Sequence, residues 1–190
     1  MTVPQRWLAL HNFRSNPQVF QDQLKDYIPL LGENAEVDFV AAPHAGRGTS
    51  LYPGEPREWW YSPTYSSFMM GWLGDLGLEE SKTFLKNKIL QDGPYHDILG
   101  FSQGGGMAHF ALAEGLIKRG ILFSPVVPLG HSWPPSKDLD YQAIVFLDPA
   151  DLTGEGYPLN GMKIVSHSEN HTVPAMTEEI RGVIEEFTSK

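Results

Sequence analysis

Eleven residues, His96 to Gly106 (HDILGFSQGGG), limit the folds open to this chain more than any other stretch. Ile98, Leu99 and Phe101 form a short apolar run of the kind that makes a buried parallel strand, and Gly104 to Gly106 open a segment with helical spacing. Between them stands Ser102, at the centre of a G-x-S-x-G pattern that runs from Gly100 to Gly104. That pattern describes a sharp turn holding a serine between strand and helix with its hydroxyl exposed. The positions two before and two after the serine lie against neighbouring backbone, where a Cβ would clash, so glycine is required at both. The same letters also suit a simple Gly/Ser turn without chemistry. The strand before the turn, the helix after it, and aspartates followed by a histidine downstream favour the chemical reading.

A serine hydroxyl is a weak nucleophile, so that reading obliges the chain to supply a base, an acid to orient it, and donors for an oxyanion. The base of a Ser…Asp…His order belongs in a loop between the last strand and the last helix. His171 in SENHTVP occupies such a loop. His167 is the rival, at the strand end, and would need a bend to reach the serine. Asp148 and Asp151 compete for the acid; both follow the apolar run AIVFL, and either also suits a turn beside Pro149.

Six apolar runs read as strands: Arg6 to His11, Val37 to Ala41, the run before Ser102, Ile121 to Phe123, Ala143 to Leu147, and Lys163 to Val165. Helical spacing predicts a helix from Pro17 to Leu31 capped by Asn16, another over Glu79 to Gln91, a third from the serine turn to near Gly120, and a closing helix over Val173 to Phe187. Pro43 to Pro63 has no clear period and reads as a long functional loop over the sheet. Strands alternating with helices predict an α/β fold with a doubly wound, mostly parallel sheet of about six strands flanked by helices. His11, Ser102, the Asp148 to Asp151 loop and His171 then share the carboxyl edge of the sheet.

The chain's 190 residues, 41% of them hydrophobic, suit one domain spanning 1–190 rather than two. A formal charge of −9 disfavours nucleic acid as a partner. No run approaches the ~20 apolar residues of a membrane span, and Trp7 to Leu10 is too short for a signal peptide. There is no cysteine, hence no disulfide, thiolate metal site or cysteine nucleophile. Asn170, His171 and Thr172 form a glycosylation acceptor whose glycan would obstruct the histidine, which favours a cytoplasmic location. The sequence leaves the oligomeric state open.

Several stretches together resemble the fungal serine hydrolases, the family that includes the ovarian tumour suppressor candidate hydrolase. They are HNFRSNPQVFQDQL, AAPH, REWW, GPYHDILGFSQGGGMA, DPAD and ENHTVP, and they cover most of the chain. The resemblance implies an α/β-hydrolase fold, Ser102 as nucleophile, His171 as base and, from DPAD, Asp151 as the acid in preference to Asp148. Two departures stand out. Asn12 replaces the family's glycine in the loop after the first strand, and the segment between Asp151 and His171 is shorter. In such a fold the oxyanion is bound by the backbone N–H of the residue after the nucleophile, Gln103, and one from the first-strand loop, Phe13.

The expected reaction is hydrolysis of an ester or thioester of an apolar acyl group, a small-molecule substrate, without cofactor or metal. Trp59, Trp60, Phe68, Met69, Met70 and Trp72 are candidates to line the acyl pocket, although each suits core packing equally. The competing readings are an interaction protein on a hydrolase scaffold with little or no activity, and acyl transfer or cyclisation at the same triad.

Overall fold

The structure is a computed structural model that describes residues 4–61, 75–128, 131, 141–154, 157 and 161–189. Strands β1 (Gln5–Leu10), β2 (Ala35–Val40), β5 (Asp97–Phe101), β6 (Arg119–Phe123), β7 (Gln142–Leu147) and β8 (Lys163–Ser166) form one sheet in the order β2-β1-β5-β6-β7-β8. Every pairing in it is parallel. After β1 the chain steps outward to β2, then crosses back to lay β5 on the other side of β1. The winding reverses between β1 and β5, and ligands of open α/β sheets bind at the carboxyl ends of strands at such a reversal. Ser102 follows β5 directly, and the His11 to Phe13 loop follows β1.

Alternation along the strands divides the core in two. Leu8, Leu10, Ile98, Leu122 and Val145 face one side, where α2 (Leu78–Asp92) and α3 (Gln103–Ala113) add Leu85, Ile89 and Met107. Trp7, Ala9, Leu99, Ile121, Phe123 and Phe146 face the other, covered by Phe20 of α1 (Pro17–Gln23) and Ile180, Ile184 and Phe187 of α4 (Glu178–Thr188). All eleven residues of α3 are buried, so the helix behind Ser102 is held on every side.

Three helices are shorter than their spacing predicts. Asn16 caps α1 through Oδ1, which accepts from the Val19 N–H at 3.1 Å, but the helix ends at Gln23 and a separate 3₁₀ turn covers Ile28–Leu30. Pro29 bars one continuous helix through to Leu31: it lacks an N–H, and its ring would strike the carbonyl four residues earlier. The helix after the serine stops at Ala113, and Gly115 turns the chain with φ +69°. The closing helix starts beyond Pro174, where the Thr177 side chain accepts from Ile180 N–H. The long loop contains a two-stranded antiparallel pairing of β3 (His44–Ala45) with β4 (Arg57–Glu58). Among the described residues no helix is long and apolar enough to cross a membrane.

The glycines around Ser102 are required by close approach. A Cβ on Gly100 would lie 2.3 Å from the Gly104 carbonyl oxygen, and one on Gly104 would lie 2.0 Å from that of Leu10. Neither distance is sterically possible, and the opposing atoms are backbone. Gly104→Ala should therefore cost more than ~3 kcal/mol or prevent folding, read from urea unfolding. A fully stable Gly104→Ala protein would contradict this packing of α3 against β1.

Candidate active site

Ser102 is held in a conformation that few non-glycine residues adopt, with φ 56° and ψ −119°. Its N–H donates to the Phe123 carbonyl at 2.9 Å, and its carbonyl accepts from Gly106 N–H at 3.0 Å and Val126 N–H at 3.1 Å. The turn is thus fixed by β6 on one side and by its own helix on the other. Among the described residues, three further non-glycine residues have positive φ: Arg14, Ser124 and Asn170. All four follow strands β1, β5, β6 and β8 at the carboxyl edge. Strain of this kind concentrates where a scaffold holds functional groups.

Three side chains meet there. His171 Nε2 lies 2.9 Å from Ser102 Oγ, and His171 Nδ1 lies 2.6 Å from Asp151 Oδ2. Because an ionised carboxylate can only accept, Nδ1 carries the proton and the Nε2 lone pair faces the serine hydroxyl. The His171 ring leans on Phe101, with centroids 5.3 Å apart. Burial raises the Asp151 pKa, but hydrogen bonds from Thr153 and His171 outweigh it, so the carboxyl lies below its ordinary range. It is therefore ionised at neutral pH.

Asp148 does not contact the histidine ring; it holds the loops. Its Oδ1 accepts from Ala150 N–H at 2.8 Å, and Oδ2 accepts from Asn170 N–H at 2.7 Å. These backbone bonds lower its pKa, the Ala150 bond most. The second ties the start of the His171 loop to the end of β7. His167 is turned elsewhere: its Nδ1 accepts from Glu169 N–H at 3.3 Å.

Gln103 opens α3, where the first N–H groups of a helix have no partner within it. Its side chain has a second task, accepting from Trp59 N–H at 3.0 Å and donating to the Trp60 carbonyl at 2.9 Å. This clamp of the long loop onto the nucleophile helix has no signature in the sequence. Phe13 lies beneath the Arg14 guanidinium, 4.6 Å from its ring centroid. The preceding residues are tied down by His11 Nδ1–H donating to the Asn12 carbonyl at 2.8 Å and by Asn12 Nδ2 donating to Tyr52 Oη at 2.9 Å.

The described tryptophans of the long loop take the core-packing alternative. Trp59 is 0% exposed and Trp60 3%, both within the core beside Leu10 and Met107. The Trp59 indole N–H donates to the His11 carbonyl at 2.8 Å. Both rings thus pack in the core, beneath the turn that Gln103 opens. Phe68, Met69, Met70 and Trp72 lie outside the described residues.

Two buried histidines beside this region stay neutral. His11 Nε2 accepts from Ala42 N–H at 3.0 Å, and burial lowers its pKa to about 4. His109 lies between Tyr157 Oη at 2.7 Å and Tyr141 Oη at 3.0 Å, and burial lowers it to about 4 as well. In the unfolded chain both titrate near 6.5, so between these values the unfolded state binds more protons. Their contribution is complete above pH 6.5 and is lost as pH falls towards 4. We expect stability to drop by roughly 2 kcal/mol per histidine between pH 7 and 5. Urea unfolding at the two pH values checks this; His109→Gln should remove about half of the slope.

Comparison with known proteins identifies the family and the fold. The profile of the family described as Serine hydrolase (FSH1) matches residues 1–120, a segment that contains Phe13, Ser102 and Gln103. An esterase of Caenorhabditis elegans is 27% identical over 207 residues, covering 95% of this chain and 93% of that protein. Esterase OVCA2 of Danio rerio is 31% identical over 122 residues, 55% of this chain. The chain spans 54% of the length of that zebrafish relative and 44% of that of an esterase of Drosophila melanogaster. Among solved structures, YahD with malic acid superposes with a TM-score of 0.68 at 14% identity, over 98% of this chain and 93% of that one. A carboxylesterase from Mesorhizobium loti gives 0.61 at 12% identity, over 99% and 90%. With a fold shared by carboxylesterases and a family profile matched over residues 1–120, the chain belongs to the serine hydrolase (FSH1) family and has the α/β-hydrolase fold.

Proposed function

We propose that residues 1–190 act as one α/β-hydrolase domain that cleaves an ester or thioester of an apolar acyl group. The observation that carries this reading is the unbroken relay from Ser102 Oγ through His171 to Asp151, at 2.9 and 2.6 Å. His171 Nε2 takes the hydroxyl proton as Ser102 Oγ attacks the acyl carbon. The N–H groups of Gln103 and Phe13 bind the oxyanion that forms, and Asp151 stabilises the imidazolium. His171 then gives its proton to the departing alcohol or thiol. A water deprotonated by the same nitrogen attacks the acyl-enzyme, which releases the acid and restores Ser102.

The apolar acyl group rests on the sequence, in which Phe68, Met69, Met70 and Trp72 are candidates to line an acyl pocket. A panel of p-nitrophenyl esters and acyl thioesters of increasing chain length tests the assignment. We expect kcat/KM to rise at least about tenfold from acetyl to hexanoyl, at ~0.8 kcal/mol per buried methylene for the first carbons. A flat profile would remove the apolar group from the assignment. An acyl-enzyme resolved only by an added alcohol or amine would replace hydrolysis by transfer.

A further inference from the structure

Thr153 stands two residues beyond the carboxylate of the relay and touches both of its partners. Its Oγ1 lies 2.6 Å from Asp151 Oδ1 and 2.7 Å from His171 Nδ1, while its backbone N–H donates to the same Asp151 Oδ1 at 3.0 Å. Proton assignment leaves one arrangement. Asp151 can only accept, so the threonine hydroxyl donates to Oδ1. Its oxygen then faces Nδ1, whose proton is shared between Asp151 Oδ2 and Thr153 Oγ1. The reverse, with the hydroxyl donating to an unprotonated Nδ1, would set the lone pairs of Nδ1 and Oδ2 against each other at 2.6 Å.

We infer that Thr153 is a positioning residue of the Ser102–His171–Asp151 relay: its hydroxyl and N–H both hold Oδ1, which leaves Oδ2 to the imidazole, and its oxygen supplies Nδ1–H with a second acceptor. The inference rests on the reading of Ser102, His171 and Asp151 given above. Two donors on one carboxylate oxygen prevent rotation of the Asp151 side chain, and two acceptors around Nδ1–H hold the imidazole in one tautomer as it gains charge. The carboxylate is thereby fixed by its own turn. Thr153 is also the only hydroxyl that the described residues bring to His171 Nδ1.

Three variants separate the hydroxyl from the bulk of the residue. Thr153→Val keeps the branched shape and removes the hydroxyl; Thr153→Ser keeps the hydroxyl; Thr153→Ala removes both, in case valine disturbs the turn. Thr153 is exposed, so none of them opens a core cavity. Each is compared with wild type and Ser102→Ala for kcat and KM on p-nitrophenyl butyrate and for the rate of labelling by a fluorophosphonate. We expect Thr153→Val and Thr153→Ala to lose about 10- to 100-fold in kcat and in labelling rate with KM within about threefold, and Thr153→Ser to stay within about threefold of wild type. Thr153→Val at wild-type rates would overturn the inference while Ser102→Ala remained inactive and the relay stood. Equal losses in Thr153→Ser and Thr153→Val would also overturn it, since the hydroxyl would then be irrelevant. Turnover and labelling unchanged in Ser102→Ala would overturn both the relay and the role of Thr153.

Discussion

Ser102→Ala should lower kcat/KM for any ester the protein cleaves by about 10³- to 10⁶-fold and leave the fold intact. The loss follows from the covalent step, because alanine has no atom to attack the acyl carbon while the proposed oxyanion donors and the histidine remain. The fold should survive because the turn is fixed by backbone bonds to Phe123, Gly106 and Val126, none of which needs Oγ. Alanine must still occupy a positive φ, a strain that serine already carries. Far-UV circular dichroism should be unchanged and Tm should shift by no more than about 3 °C. A folded Ser102→Ala protein with wild-type turnover would mean that the hydrolytic centre lies elsewhere.

Asp151→Asn should have the second largest effect, and the hydrogen bonds explain its direction. Thr153 N–H and Oγ–H both need an acceptor where Oδ1 stands, so the amide oxygen takes that place and the amide nitrogen turns to His171. Facing a donor, Nδ1 gives up its proton and Nε2 gains it. The nitrogen next to Ser102 Oγ is then a donor with no lone pair to accept the hydroxyl proton, so kcat should fall by up to ~10⁴-fold while the fold is kept. Asp148→Asn makes the contrast. Both its oxygens accept from backbone N–H groups, so an amide satisfies only one of Ala150 and Asn170. The His171 loop loosens, Tm falls, and kcat should drop by no more than about tenfold. If Asp148→Asn lost turnover and Asp151→Asn kept it, the acid would be Asp148.

The strands and the serine turn were legible because each is dictated locally. Apolar runs such as DILGF and AIVFL have no alternative to burial between two layers, and Gly100 and Gly104 mark the places where α3 approaches Leu10 and its own strand. The histidine was legible from its place after the last strand. Between Asp148 and Asp151 the residues alone gave no decision, since both sit in one turn and only the direction of each side chain separates them. Thr153 and the Gln103 clamp left no pattern at all: a threonine two positions after an aspartate is a common turn, and the partners of Gln103 lie 43 and 44 residues away in sequence. The aromatic pair was left undecided for a related reason. Hydrophobicity cannot distinguish a ring lining a pocket from one that packs in the core, and Trp59 is enclosed because its indole N–H reaches His11. Helix lengths failed where periodicity outweighed punctuation, most plainly at Pro29.

The most direct measurement is the reaction of the folded protein with a fluorophosphonate, followed by mass spectrometry of the peptide that carries Ser102. The relay of Ser102, His171 and Asp151 predicts stoichiometric modification at Ser102 and at no other serine, slowed by at least about 100-fold in His171→Gln and abolished in Ser102→Ala. Ser102 left unmodified in folded protein that hydrolyses esters, or labelled as fast in His171→Gln as in wild type, would contradict it.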